Sequence, residues 1–286
     1  MTKETDDITG TETTGHEWDG IKELNTPLPR WWLWTFYGTI VFAIGYTIAF
    51  PAWPMISSAT TGILNYSSRA ELDASLTEAR GAQATYLAQI EALPVAEIVG
   101  NEDLERFAQA AGKSAFKVYC SQCHGTGAEG SAGYPNLNDD EWIWGGTVED
   151  IYATISYGVR SADPNTHYSL MPNFGIEDFL TPQQVDVVAS QVASLSDIEG
   201  GVATPEGAKL FADNCASCHG ESGQGVVAQG GPSLSDAIWL YGGTLAQIRS
   251  HVDRPKHGVM PAWTPRLGDT TVKQLAVYVH GLGGGQ

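Results

Sequence analysis

Two copies of a Cys-x-x-Cys-His motif hold the residues best suited to do chemistry. The first copy is Cys120, Cys123 and His124, and the second is Cys215, Cys218 and His219. Two thiols three positions apart can each add to a vinyl group of a haem, while the adjacent imidazole reaches the iron. The 4 cysteines of the chain are all used in this way. The pattern predicts two covalently bound haem c groups.

Two other interpretations of Cys-x-x-Cys are weaker. A structural zinc site pairs two such units about 15 to 20 residues apart. Cys123 and Cys215 are much further apart, and each unit has its own histidine. A thioredoxin-like redox pair needs a βαβ context, which the sequence pattern does not indicate around either motif.

The surroundings of the two motifs repeat. Leu137, Asp139, Trp142 and Gly145-Gly146-Thr147 recur as Leu234, Asp236, Trp239 and Gly242-Gly243-Thr244, and Met171-Pro172 recurs as Met260-Pro261. An apolar helical pattern at 185–195 recurs at 272–282. A period of about 90 residues is too long for a solenoid and suits two small globular domains. We expect these domains at 102–197 and 201–283, with a linker at 196–204.

A methionine is available as the second iron ligand in each domain. Of the 4 methionines, Met1 is the start and Met55 lies beside an apolar segment, which leaves Met171 and Met260. Thioether ligation favours a high reduction potential. The proline after each methionine fixes the local turn.

Two alternatives to methionine ligation remain open. A methionine often only fills the core. His167 and His257 lie just upstream of the two methionines, so a bis-histidine haem is the other alternative. We expect His251 and His280 to be surface or packing residues.

An uncharged run follows the N-terminal segment. Residues 1–30 are polar and acidic without periodicity, which predicts an unstructured tail. Residues 31–50 carry no charge, and at about 1.5 Å per residue a helix of this length crosses the roughly 30 Å hydrocarbon layer. Tryptophans flank both ends, as is typical of membrane interfaces. The sequence predicts a membrane anchor at 31–53, and the acidic leader argues against a cleavable signal peptide.

Two cues orient the anchor. Lys22 and Arg30 precede it, and no lysine or arginine follows until Arg69, so the positive-inside rule places the N-terminus in the cytoplasm. Haem c is attached outside the bacterial inner membrane, as is general for c-type cytochromes. We expect a single-pass protein in inner-membrane lipid, with periplasmic haem domains.

The connector at 54–101 has a helical composition. Its apolar stripe predicts a helix over 71–92, which Pro94 ends. A second helix, over 102–111, leads towards the first motif. We expect the glycine-rich tail at 281–286 to be unordered.

The 15 basic and 33 acidic residues give a net charge of −18. This charge argues against nucleic acid and anionic lipid as partners. An acidic periplasmic face attracts a basic redox carrier, although the acidity can equally serve solubility alone.

The N-terminal segment carries a family resemblance. The stretch from His16 to Trp32, with Asp19-Gly20-Ile21-Lys22-Glu23-Leu24-Asn25-Thr26-Pro27-Leu28-Pro29 at its centre, is joined to the anchor and then to the two motifs. In this order the chain resembles, over essentially its whole length, the dihaem subunit of cbb3-type cytochrome c oxidases, the CcoP/FixP family. The resemblance implies a mainly α fold, with one N-terminal transmembrane helix followed by two tandem class I cytochrome c domains.

The resemblance also implies a ligand set and a role. Each haem of the family has a His and a Met ligand, which this chain matches with His124 and Met171, and with His219 and Met260. The chain would lie beside a catalytic haem–copper subunit and a monohaem cytochrome c subunit. It would pass them electrons from a soluble or membrane-tethered cytochrome c, and O2 would be reduced in another subunit.

Four further residues are candidates for haem contact by their type and position alone. We expect Trp142 and Trp239 to pack on the haems and Arg160 and Arg249 to meet propionates, with core and surface roles as the alternatives.

Two other functions share part of this pattern. A membrane-tethered dihaem shuttle would have the same haem motifs without the oxidase-binding N-terminal segment. A catalytic dihaem enzyme such as a peroxidase needs a displaceable sixth ligand, which the two Met-Pro motifs disfavour.

Overall fold

The computed structural model describes residues 4–284, in two compact units divided between Ala82 and Gln83. Residues 1–3 and 285–286, where unordered tails are predicted, lie outside the described residues.

A β-hairpin begins the first unit. Strands β1 (Thr13–Trp18) and β2 (Ile21–Leu24) are antiparallel, with Trp18 paired to Ile21. Asp19 and Gly20 turn the chain with φ of 49° and 84°, as a two-residue type I′ turn requires. The prediction of an unstructured tail is wrong for this hairpin, because the Asp-Gly turn outweighs the polar composition.

Helix α1 (Arg30–Ala49) matches the predicted anchor. It is long and apolar enough to cross a membrane by length and composition. None of its residues is buried, so its apolar side chains have no protein core to pack into. Phe50 is extended, and the helix ends there because a residue before a proline avoids the helical region. An apolar helix with every face exposed fits a lipid environment.

The remaining elements are helical. They are α2 (Ser68–Ala92), α3 (Val95–Val99), α4 (Glu102–Tyr119), α5 (Ser121–His124), α6 (Val148–Tyr157), α7 (Pro182–Leu195), α8 (Pro205–Asn214), α9 (Ala216–His219), a 3-10 turn (Val227–Gln229), α10 (Leu245–Asp253), α11 (Thr264–Leu267) and α12 (Asp269–His280). Helix α4 begins at an Asn101 cap, whose side chain accepts from the Leu104 N–H. It runs beyond the predicted end at residue 111 as far as the first motif.

The first core is formed by α4, α6 and α12. Phe116, Ile151, Leu275 and Val277 are buried together there. Lys273 of α12 is also buried, and its Nζ donates to the carbonyls of the last turn of α2 at 3.0 and 3.2 Å. This core therefore joins the beginning and the end of the second unit.

The second core is formed by α7, α8 and α10. Val185 and Val188 of α7 are buried with Phe211 of α8 and Ile248 of α10. A capping box at Thr181 begins α7, which sets the start of its apolar face.

The two repeats exchange their last helices. Helix α7 follows the first motif in sequence but packs in the second core, and α12 follows the second motif but packs in the first core. The chain crosses between the cores in two segments, 158–173 and 254–263, which we call the first and second crossover loops. The helices that pack together are thus not the ones that the expected domains, 102–197 and 201–283, group together.

Candidate haem centres

Each motif forms a short helix at the end of a longer one. Cys120 ends α4, and Cys215 ends α8, so α5 and α9 continue from the helices that build the two cores. None of the four cysteines is joined in a disulfide. Burial raises the pKa of Cys120 and of Cys215 to about 11. No disulfide thus competes with the attachment of these cysteines to haem.

The two histidines are held in the same way. Nδ1 of His124 lies 3.0 Å from the Pro135 carbonyl, and Nδ1 of His219 lies 2.9 Å from the Pro232 carbonyl. A carbonyl only accepts, so Nδ1 donates and the Nε2 lone pair remains for a metal. Burial lowers the pKa of both imidazoles, which favours their neutral, ligating form.

The methionines reach the opposite cores from those expected. Met260 and Cys120 both pack against the first core, whereas Met171 packs against the second core, in which Cys215 is buried. The crossover loops thus carry each methionine to the other core, so this packing does not bring together the expected pairs, His124 with Met171 and His219 with Met260, whose ligation stays a prediction.

The two tryptophans sit in equivalent places but differ at the ring nitrogen. Trp142 lies against the first core and donates its Nε1–H to the Gly284 carbonyl. Gly284 lies in a turn, so the prediction of an unordered tail is wrong for 281–284. Trp239 lies against the second core, and within residues 4–284 its buried Nε1 has no hydrogen-bond partner. An orphaned donor beside a Cys-x-x-Cys-His motif fits a haem, whose propionates are acceptors.

The two arginines have protein partners. Arg160 donates from Nε to the Gly258 carbonyl at 2.6 Å and from Nη1 to the Ser169 carbonyl at 3.1 Å. Arg249 of α10 forms an ion pair with Asp186 of α7. Their expected contact with propionates stays a prediction.

The candidate alternative ligands lie in the crossover loops. Val159 is bridged to His167 on one side and to Met260 on the other. The His167 ring stacks on Trp144, with centroids 4.5 Å apart, and its buried Nε2 has no partner within residues 4–284. Nε2 of His257 accepts from the Met171 N–H at 3.1 Å.

Sequence reasoning missed the two carbonyls that hold the histidines. Pro135 and Pro232 each precede by two residues a leucine that the repeat had already matched, Leu137 or Leu234. Extending the same alignment by two positions would have found them.

The helical cores, the two cysteines of each motif and the hydrogen-bonded histidines define the chain as a c-type cytochrome. A model described as "Cytochrome C oxidase, cbb3-type, subunit III" matches 107–190 and 202–279, and one described as the N-terminal domain of cytochrome oxidase-cbb3, FixP, matches 10–57. The chain belongs to the cbb3-type cytochrome c oxidase subunit III family. This membership implies haem c binding, electron transport, anchoring in a membrane through α1 and association with other oxidase subunits.

Similar proteins share the whole length of the chain. The cbb3-type cytochrome c oxidase subunits FixP of Sinorhizobium medicae and of Rhizobium meliloti are each 55% identical over 99% of this chain and 98% of the relative. Subunit CcoP of Cereibacter sphaeroides is 47% identical over 96% of this chain and 95% of the relative. The N-terminal segment, the anchor and both motifs are thus covered together.

Proposed function

We propose that this chain relays electrons from a soluble or membrane-tethered cytochrome c to the catalytic subunits of a cbb3-type oxidase. The observation that supports the proposal is the presence of two Cys-x-x-Cys-His motifs with the same local structure. They lie in two cores of one compact unit, and these cores exchange a helix. The motifs supply two attachment sites within one folded unit, which can work in series.

Each attachment site holds one haem c. Cys120 and Cys123 bind the first covalently, and Cys215 and Cys218 bind the second. A bound haem supplies one-electron chemistry by cycling its iron between two oxidation states.

The ligand pairs are crossed between the repeats. His124 and Met260 hold one iron, and His219 and Met171 hold the other. The packing of each methionine against the core of its partner histidine supports this pairing. With a histidine and a methionine assigned to each iron, neither haem would offer a site for O2, so O2 would be reduced in the haem–copper subunit.

The chain spans the inner membrane once, with its N-terminus in the cytoplasm. Lys22 and Arg30 lie before α1, and the next basic residue is Arg69, which supports this orientation. The haem domains then lie in the periplasm. Their excess of acidic residues steers a basic electron donor towards them.

Purification of the tagged chain from mild detergent tests the proposal. Haem b should co-purify in a fixed ratio with haem c, and the preparation should consume O2 when reduced cytochrome c is supplied. Haem c alone, without O2 uptake, would instead indicate a tethered electron shuttle.

A further inference from the structure

The two crossover loops meet inside the second unit. Val159 of the first loop exchanges two backbone hydrogen bonds with Met260, both of 3.0 Å. In return, the Met171 N–H donates to Nε2 of His257, in the second loop, at 3.1 Å. The backbone of each methionine is therefore bonded to the opposite loop.

Arg160 joins the loops at equivalent positions. Its two donors reach the carbonyls of Ser169 and Gly258, at 3.1 and 2.6 Å. Ser169 stands two residues before Met171, and Gly258 two residues before Met260. A single guanidinium is thus bonded to the backbone two residues before each methionine.

The backbone conformation of Arg160 also indicates that this residue is held in place by its surroundings. Its φ is 52°, in the left-handed region that residues other than glycine seldom adopt. Such a conformation persists only where the surroundings determine it. Here the hydrogen bonds of both loops do so.

We propose that Arg160 is a positioning residue for both haem irons at once. By tying the loops together, it holds Met171 at one iron and Met260 at the other. The inference rests on the crossed ligation proposed above. A residue of the first repeat thereby controls the sixth ligand of both centres.

The planar shape of the guanidinium is essential to this role. Its Nε and Nη1 donate in fixed directions to two separate carbonyls, whereas a lysine ammonium is a compact charge on a flexible stem. Arg160→Lys therefore keeps the charge and loses the fixed geometry. Arg160→Gln loses both.

The test uses the purified full-length chain with both haems attached. Carbon monoxide binding to the reduced chain reports how often each methionine leaves its iron. A redox titration gives the two midpoint potentials, and thermal unfolding checks that each variant is folded.

Two matched variants isolate the effect. Arg106→Gln removes an exposed arginine that pairs with Asp103 on α4 and controls for the loss of one positive charge. Tyr241→Phe removes the hydroxyl that accepts from the Gly258 N–H at 3.0 Å. That hydrogen bond reaches the second loop, so its loss should affect the haem paired with Met260 more than the haem paired with Met171.

Both Arg160 variants should raise carbon monoxide binding at both haems, by roughly tenfold, the factor expected from losing one charged hydrogen bond. Both midpoint potentials should fall, and Arg106→Gln should leave them unchanged. An effect at only one haem, or an Arg160→Lys chain that behaves as wild type, would overturn the proposal. Neither outcome touches the oxidase role, which is read from co-purification and O2 uptake.

Discussion

A β-carbon on Gly112 would overlap the carbonyl oxygen of Gln274, so α4 and α12 meet backbone against backbone. This contact joins helices from the two ends of the second unit. Only a residue without a side chain allows so close an approach.

Replacement of Gly112 by alanine should destabilise the first core by about 1–3 kcal/mol, the usual cost of an extra methyl group in a tight contact. Gly81 is also helical, but a β-carbon added there would have nothing within 4 Å. Gly81→Ala should therefore stabilise its helix by about 0.5–1 kcal/mol. Denaturant unfolding of the two variants measures both effects, and an equal response would contradict the close contact.

The crossed ligation predicts which haem each methionine variant opens. In a chain that retains only the first haem, through Cys215→Ala and Cys218→Ala, Met260→Ala should create a carbon monoxide site. Met171→Ala should not do so in the same background. The difference spectrum of the reduced chain makes the distinction, and the opposite result would restore the uncrossed pairing.

The orphaned nitrogen of Trp239 predicts a contact with bound haem. Trp239→Phe should lower the free energy of unfolding of the haem-loaded chain by about 1–3 kcal/mol, because the propionate loses the Nε1–H donor of Trp239. It should also lower the midpoint potential of the second haem, since a propionate charge is left less well compensated.

Trp142→Phe is the matched control for this change. The Trp142 donor is already bonded to the Gly284 carbonyl, so its loss should free the end of the chain and leave the potentials unchanged. A redox titration that finds the same shift for both variants would count against a propionate contact at Trp239.

Asp269 makes the first core sensitive to acid. Burial alone would raise the pKa of Asp269, but hydrogen bonds from Tyr152 and Lys273 lower it below its ordinary value of 3.8. The ionised carboxylate therefore contributes stability above pH 3.8, and that contribution is lost as the pH falls through the lower folded value.

Asp269→Asn should reduce the pH dependence of unfolding in this acid window. Urea unfolding at a series of pH values measures the change, with Asp103→Asn on the exposed side of α4 as the control. If the free energy of unfolding of Asp269→Asn depends on pH as steeply as that of the wild type, folding does not lower the pKa of Asp269.

Much of the candidate site follows from short-range sequence signals. The Cys-x-x-Cys-His motifs, the two methionines and the uncharged anchor are local patterns, and the structure contains a helix for each helical pattern that was predicted. The observed start of α2, at Ser68, and end of α4, at Tyr119, differ from the predicted ones because an apolar stripe does not determine the residue at which a helix begins or ends.

The exchange of helices could not be predicted in this way. The apolar patterns of α7 and α12 are copies of each other, so either helix offers a suitable face to α4 or to α8. Close glycine contacts do not distinguish the partners either, because they occur in both cores, at Gly112 against Gln274 and at Gly207 against Gln191.

The exchanged helices also set the order in which the protein can be completed. The ribosome makes the chain from its N-terminus, and the segments that build the second core lie together in sequence, from the first crossover loop to the end of α10. All of them are available before α12 has been synthesised. The first core cannot be completed until that last helix has been made, and until then one face of α4 is uncovered. The domain that is made first is therefore the last to finish folding.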